Sequence, residues 1–300
     1  MFNFGLVHAP LTPFMDGRID FATYSKLLDF HVRHGAEGLA LPMHTGESVS
    51  LSVGERQALL EFAVRHVGGR VPIIAHVSEA GTASAASLAG HAKQSGAAAL
   101  IATVPYYWTP PQHMLVEHFE AIGRVGCLPF FVLNTPAEMA EDEFASKSVV
   151  DLIERLPAFS GLIDASLDWQ YMIEVVTVAR AKQPDFQFVS GTEYMISAAA
   201  IGATGLLSSL ASVSPLLVGE LYRTCRCENY AAARPLQEDA AILFRLMRDA
   251  GVAGLKLTAA MLGRECGEPR PPLVPWREKE ALYKSLFEAK SFKAEPRGWS

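Results

Sequence analysis

Along the first two thirds of the chain, short apolar runs alternate with helical patterns, and each run ends in a polar or glycine-containing loop. Gly5-Leu-Val-His8-Ala reads as a first strand, followed by Thr12-Pro13-Phe14 and an Asp16-Gly17 turn. Residues 21–34 have helical period, with Leu27, Leu28 and Val32 on one face and Gly35 and Gly38 after them. The second run, Leu39-Ala-Leu-Pro-Met, delivers His44-Thr45-Gly46-Glu47-Ser48. Ser52 with Glu55 three residues later predicts a capping box at the start of the next helix. Strand, polar turn and helix N-terminus together predict an anion pocket of free backbone N–H groups, with the Thr45 hydroxyl as a further donor. The alternative for an isolated Thr-Gly-Glu is an ordinary loop.

Six more runs follow. Residues 71–75 deliver His76, and residues 97–103 lead to Pro105-Tyr106-Tyr107-Trp108. Residues 128–133 end at Asn134-Thr-Pro136, and residues 159–163 end at Asp164-Ala-Ser166. Residues 186–189 end at Ser190-Gly191-Thr192-Glu193, and residues 205–207 at Ser208-Ser209. The runs are short and continuously apolar rather than alternating, which marks parallel strands buried on both faces. Eight strand–loop–helix units predict an α/β fold, a (β/α)8 TIM barrel over residues 1–225. A doubly wound sheet is the alternative, but no Gly-rich dinucleotide turn follows the first strand. Beyond Pro215 the pattern is helical only, over 216–225, 230–250, 252–262 and 276–288, with a Pro-rich link at 269–275. Residues 226–300 therefore read as a C-terminal helical extension.

Three hundred residues, half of them hydrophobic, suffice for one large core. A net charge of -6 with scattered basic residues gives no footprint for nucleic acid. No apolar run is long enough to span a bilayer, and Met1-Phe-Asn-Phe-Gly lacks the charged and apolar regions of a signal peptide. A cytoplasmic protein with no membrane partner is expected. Cys127, Cys225, Cys227 and Cys266 form no C-x-x-C pair, so they read as free thiols rather than a zinc site.

Several motifs carry a resemblance. Thr12-Pro13-Phe14, Thr45-Gly46-Glu47-Ser48, Pro105-Tyr106-Tyr107, Asn134-x-Pro136, Ser190-Gly191, Gly202-Ala-x-Gly205 and Pro271-Pro-Leu273 occur in the order of the dihydrodipicolinate synthase/N-acetylneuraminate lyase family. The likeness covers nearly the whole chain and resides at strand ends. It implies an aldolase-type barrel, a homo-oligomer built as a dimer of dimers, and a Schiff base between a lysine on the sixth barrel strand and a 2-oxo acid. It also implies that the Thr45 loop holds the acid's carboxylate and that Tyr107 enters a neighbouring subunit's site. The chain departs from this pattern at four positions. The family's lysine falls at Ile163, and isoleucine has no nitrogen to form an imine. Its fifth-strand tyrosine falls at Leu133, its second-substrate arginine at Glu138, and the first threonine of its usual pair at His44.

The polar groups expected at the catalytic face are His44, Thr45, Glu47, His76, Tyr106, Tyr107, Asn134, Asp164, Glu193, Ser208 and Ser209, with Gly46 and Gly191 as further substrate-binding positions. His44 and His76 end adjacent strands and would titrate in the range useful for general acid and base catalysis. Their alternative is hydrogen-bonded loop or core histidines. With Asp164 or Glu193 they could hold a metal, but no H-x-H or H-E-x-x-H spacing supports one. No metal and no cofactor are therefore expected. Glu47 reads as tying down its loop, and Lys256 as a structural lysine on a C-terminal helix. Two functions remain open: a lyase or hydratase acting on a small 2-oxo or hydroxy acid without a lysine Schiff base, with His44, His76 and Tyr107 as its catalytic groups, or an inactive relative that binds a small carboxylate as a sensor or structural oligomer.

Overall fold

A computed structural model describes residues 2–106, 110–136, 143–276, 278, 280–289 and 292–299. Strand β1 (Leu6–His8) leads into a short antiparallel hairpin, β2 (Phe14–Met15) and β3 (Arg18–Ile19), around the Asp16-Gly17 turn. Seven further βα units follow. Strands β4 (Gly38–Leu41), β5 (Ile73–His76), β6 (Ala99–Thr103), β7 (Phe130–Asn134), β8 (Phe159–Asp164), β9 (Gln187–Ser190) and β10 (Gly205–Ser208) close with β1 into an eight-stranded parallel barrel. The (β/α)8 barrel is thus the fold. The hairpin is an addition that the apolar pattern did not signal, because two-residue strands carry no period.

The outer ring is α1 (Phe21–Arg33), α2 (Val53–Val67), α3 (Thr82–Ser95), α4 (Gln112–Gly126), α5 (Ser146–Arg155), α6 (Trp169–Lys182), α7 (Met195–Ala200) and α8 (Pro215–Arg226). Beyond it, α9 (Tyr230–Met261) and α10 (Glu280–Glu288) form the C-terminal helices. Gly251 breaks α9 with φ 55° and ψ −144°, so the predicted division near residue 251 is present as a break in the helix. Both halves of the predicted capping box at α2 are made: Glu55 N donates to Ser52 Oγ at 3.2 Å, and Ser52 N to Glu55 Oε2 at 2.9 Å.

The pleat sorts strand residues into two cores. One apolar set lies between strands and helices and includes Leu6, Leu100, Ala102, Val132, Leu162, Phe188 and Leu206. The other fills the barrel and takes at least one residue from every barrel strand: Val7, Ala40, Ile74, Ile101, Phe131, Ile163, Val189 and Leu207. Close packing inside depends on Gly161, where a Cβ would lie 2.2 Å from the Gln187 carbonyl oxygen and 2.8 Å from the Phe131 ring. Phe4 and Phe131 pack edge to face at 5.0 Å in the same interior core.

Buried charges fasten the C-terminal segment. Glu295 accepts from Ser214 Oγ at 2.7 Å and from the N–H groups of Leu216 and Leu217 at 3.1 and 2.9 Å, which caps α8 from a distant part of the chain. Arg264, fully buried, lies 4.3 Å over the Phe30 ring and donates to the carbonyls of Ser212 and Pro296.

Candidate active site

After β4 the chain makes two 3-10 turns, His44–Gly46 and Ser48–Ser50, joined by Glu47 in the left-handed conformation at φ 57°. These turns use three of the N–H donors that the sequence offered for an anion. Gly46 N and Ser48 N donate to Met43 O, and Glu47 N donates to His44 O, at 2.8–3.2 Å. The Thr45 hydroxyl is buried and donates to Ala9 O at 3.2 Å, while Thr12 Oγ1 donates to Gly46 O at 2.7 Å. The expected cradle therefore cannot draw on Gly46, Glu47 and Ser48, whose N–H groups are used within the turns, and the loop laces onto the loop after β1.

Glu47 does hold the loop down, but through the C-terminal segment. Its Oε1 is 2.7 Å from Lys256 Nζ, both side chains being almost wholly buried, and its Oε2 accepts from Arg270 N at 2.8 Å. Lys256 also lies 4.2 Å from the centre of the Phe14 ring. Burial pulls its ammonium pKa below the ordinary value, against the opposing pull of Glu47. Among the described residues it is the buried lysine, and it sits on α9 rather than inside the barrel.

His44 and His76 do not form an exposed facing pair. His44 is exposed at the loop. His76 points inward from the end of β5 and is buried, with Nδ1 2.9 Å from Pro42 O and Nε2 2.7 Å from Ser78 Oγ. Burial, then the charges of Arg56 and His44, lower its pKa to about 3, while the Pro42 bond opposes them. A neutral ring with both nitrogens occupied matches the hydrogen-bonded core alternative and is a weak base near neutrality. Tyr106 is half-buried. Burial raises its phenol pKa, and Arg56 and a hydrogen bond with Ser78 offset part of the rise. Tyr107 and Glu138 lie outside the described residues.

The remaining expected site residues divide by pleat. Thr103, Leu133, Ile163 and Val189 stand side by side in register, and Leu133, Ile163 and Val189 belong to the barrel interior. Asn134, Asp164 and Ser190 are one step further along and on the opposite face. There Asn134 Nδ2 donates to Asp164 Oδ1 at 2.8 Å, and Phe144 N donates to Asn134 Oδ1 at 3.0 Å. Ser166 Oγ donates to Asp164 Oδ2 at 2.9 Å. Burial raises the Asp164 pKa despite these bonds. Burial, then the neighbouring charges of Asp164, Asp168 and Glu174, lift Glu143 to about 7. Gly191 N donates to Asp164 O at 2.7 Å, and a Cβ at Gly191 would come within 3.0 Å of that backbone. Glu193 is buried and its Oε1 accepts from Ser208 Oγ at 2.7 Å and Leu210 N at 2.9 Å, with burial raising its pKa. Asn134, Asp164, Glu193 and Ser208 thus tie neighbouring loops together. The sequence located them at or just beyond strand ends, and the structure puts Asn134 and Asp164 on the face opposite Leu133 and Ile163.

Two polar residues at the mouth were missed, Ser78 and Thr103. Both are buried, and Thr103 N donates to Ser78 Oγ at 2.8 Å. Ordinary serine and threonine at a strand end carry no sequence signal. Among the described residues no group of three or more His, Cys, Asp or Glu is placed to hold a metal ion, and no helix is long and apolar enough to cross a membrane. The four cysteines are free, Cys225 and Cys266 buried and Cys127 and Cys227 exposed.

Comparison with known proteins adds to this geometry. A model of the dihydrodipicolinate synthetase family matches residues 3–288. The 4-hydroxy-tetrahydrodipicolinate synthase of Rhizobium meliloti is 32% identical over 272 residues, covering 90% of this chain and 92% of its own. The crystal structure of dihydrodipicolinate synthase from Aquifex aeolicus is 28% identical with a TM-score of 0.91, covering 96% of this chain and 97% of its own. A dihydrodipicolinate synthase from Bacillus anthracis, also 28% identical, covers 99% and 100% with a TM-score of 0.90.

Proposed function

The chain belongs to the dihydrodipicolinate synthetase family, and we propose that it is a lyase or hydratase acting on a small 2-oxo or hydroxy acid without a lysine Schiff base. One observation carries this: Ile163 is the inward residue at the position where the resemblance puts the lysine, and it is fully buried beside Leu133. Lys256 does not replace it, because its ammonium is committed to Glu47. With no imine as electron sink, removing a proton next to the substrate carbonyl leaves an enolate. Its oxygen must then be stabilised by hydrogen-bond donors.

Of the two histidines, His44 is the exposed one at the mouth and takes the proton transfer. His76 takes a positioning role in place of direct catalysis. The substrate carboxylate sits at the loop of His44, Thr45 and Gly46, and the loops fixed by Asn134, Asp164, Gly191, Glu193 and Ser208 border it. Tyr107 completes the site from a second copy in a cytoplasmic homo-oligomer, a dimer of dimers. Condensation of pyruvate with aspartate semialdehyde is not part of the proposal, since Ile163, Leu133 and Glu138 replace the groups that the resemblance assigns to it.

Deuterium exchange into the pyruvate methyl group, followed by NMR, tests the chemistry. Exchange catalysed by the protein and lost in His44→Ala supports it. In parallel, borohydride added with pyruvate is expected to leave no adduct on any lysine, and an adduct by mass spectrometry overturns the proposal. The carboxylate-binding relative is favoured by one observation, the occupied, weakly basic His76. Binding of pyruvate with no exchange would select it.

A further inference from the structure

The end of β6 carries a polar atom that the fold leaves without a use. Thr103 is 2% exposed, and its Oγ1 has no hydrogen-bond partner among the described residues. A buried unpaired hydroxyl is unfavourable, and a valine of the same shape would avoid it. Thr103 follows Ala99 and Ile101 on the interior face of its strand. Beside it in register are Leu133 and then Ile163, both apolar. Leu133 keeps 9% exposure and Leu207 6%, so the strand ends at this level border the mouth.

The position of Thr103 is fixed by an oriented chain of hydrogen bonds. A carbonyl can only accept, so the ring hydrogen of His76 is on Nδ1, facing Pro42 O, and Nε2 is an acceptor. The Ser78 hydroxyl therefore donates to Nε2, and its oxygen accepts the Thr103 N–H. Behind this chain Arg56 donates to the carbonyls of His76 and Ser78. Strands β5 and β6 form a polar wall with set hydrogen directions, adjoining an apolar wall on β7 and β8.

We propose that Thr103 Oγ1 binds the C2 oxygen of a small 2-oxo or 2-hydroxy acid, whose carbon chain lies against Leu133 and Leu207; this rests on the small-acid substrate proposed above. A hydroxyl donates to an oxo oxygen and accepts from a hydroxyl group, so both acids pair with it. An acid with no oxygen at C2 leaves it unpaired. Ser78 and His76 are positioning residues that hold Thr103 in place.

Titration calorimetry of the full chain with pyruvate, lactate and propionate tests this. Wild type should prefer pyruvate or lactate to propionate by at least about tenfold, a typical gain from pairing a buried polar group. Thr103→Val should reduce the preference to within about threefold, and Thr103→Ser should retain it. Without ligand, Thr103→Val should melt at or above the wild-type temperature. An undiminished preference in Thr103→Val overturns the assignment alone, as does a lower melting temperature, which would reveal a structural partner for the hydroxyl. Absence of binding of all three acids to wild type overturns the small-acid function and this assignment with it.

Discussion

Replacing Lys256 by methionine removes one charge from a pair that has almost no contact with water. At 2.7 Å, with an effective dielectric constant near 20, the attraction of Lys256 to Glu47 is about 6 kcal/mol. Desolvating the two ions costs several kcal/mol each, so the intact pair contributes little net stability. The variant is different, because Glu47 stays buried with its charge unmatched. That loss is about 3–5 kcal/mol, to which the cation–π contact with Phe14 adds about 0.5–2 kcal/mol. Against a total stability of about 5–15 kcal/mol, the effect is large. Lys256→Met combined with Glu47→Gln restores neutrality and keeps an acceptor for Arg270 N, so the double variant should cost about 1–2 kcal/mol, less than either single change. Equilibrium urea unfolding of the four proteins measures the cycle. A loss below about 1 kcal/mol in Lys256→Met, or additive losses, refutes the assignment of an uncompensated charge.

Two further perturbations follow from the same kind of geometry. His8 and His31 contact each other through Nδ1 at 3.1 Å, and both are buried. Burial, aided for His8 by the charge of His34, lowers His8 to about 3, and burial first of all puts His31 well below 6.5. The unfolded chain therefore binds protons that the native chain refuses: their contribution to stability is complete above about pH 6.5 and is lost as pH falls towards 3. His8→Phe should lose less stability than wild type between pH 7 and 5 by urea unfolding, and an equal loss would show that His8 is not the group. Gly161→Ala drives a methyl group against the Gln187 carbonyl and the Phe131 ring, and should cost at least the upper part of about 1–3 kcal/mol. An unchanged melting temperature would mean that β8 and β9 separate more easily than their packing implies.

The eight-unit barrel was legible because each strand is a brief apolar run between polar loops, and a parallel barrel buries both faces of every strand. The same property hid the direction of the side chains. An amphipathic strand declares its faces by alternation, but Phe130-Phe-Val-Leu133 does not, so nothing told Leu133 from Asn134 as the inward residue. Asn134 and Asp164 were accordingly read at the right height, while the face each occupies was not legible. The anion cradle is narrower than its motif implied for a different reason: the 3-10 turns at Met43–Ser48 use the N–H groups of Gly46, Glu47 and Ser48 internally, a choice of local geometry that the tripeptide Thr-Gly-Glu does not encode. The partnership of Glu47 with Lys256 joins positions far apart in the chain, beyond the reach of any periodic pattern. Ser78 and Thr103 gain their interest from one another and from His76, not from their local sequence.

The reach of Glu295 back to Ser214 also sets an order on biosynthesis. The 81 residues between them take roughly 4–16 s to synthesise at ordinary translation rates. During that interval the N-terminus of α8 has emerged without the carboxylate that caps it, next to the seam where β10 meets β1. A nascent barrel therefore waits with one helix end unsatisfied, exposed to chaperones and to competing pairings. The cap of α8 is completed only after residue 295 has left the ribosome.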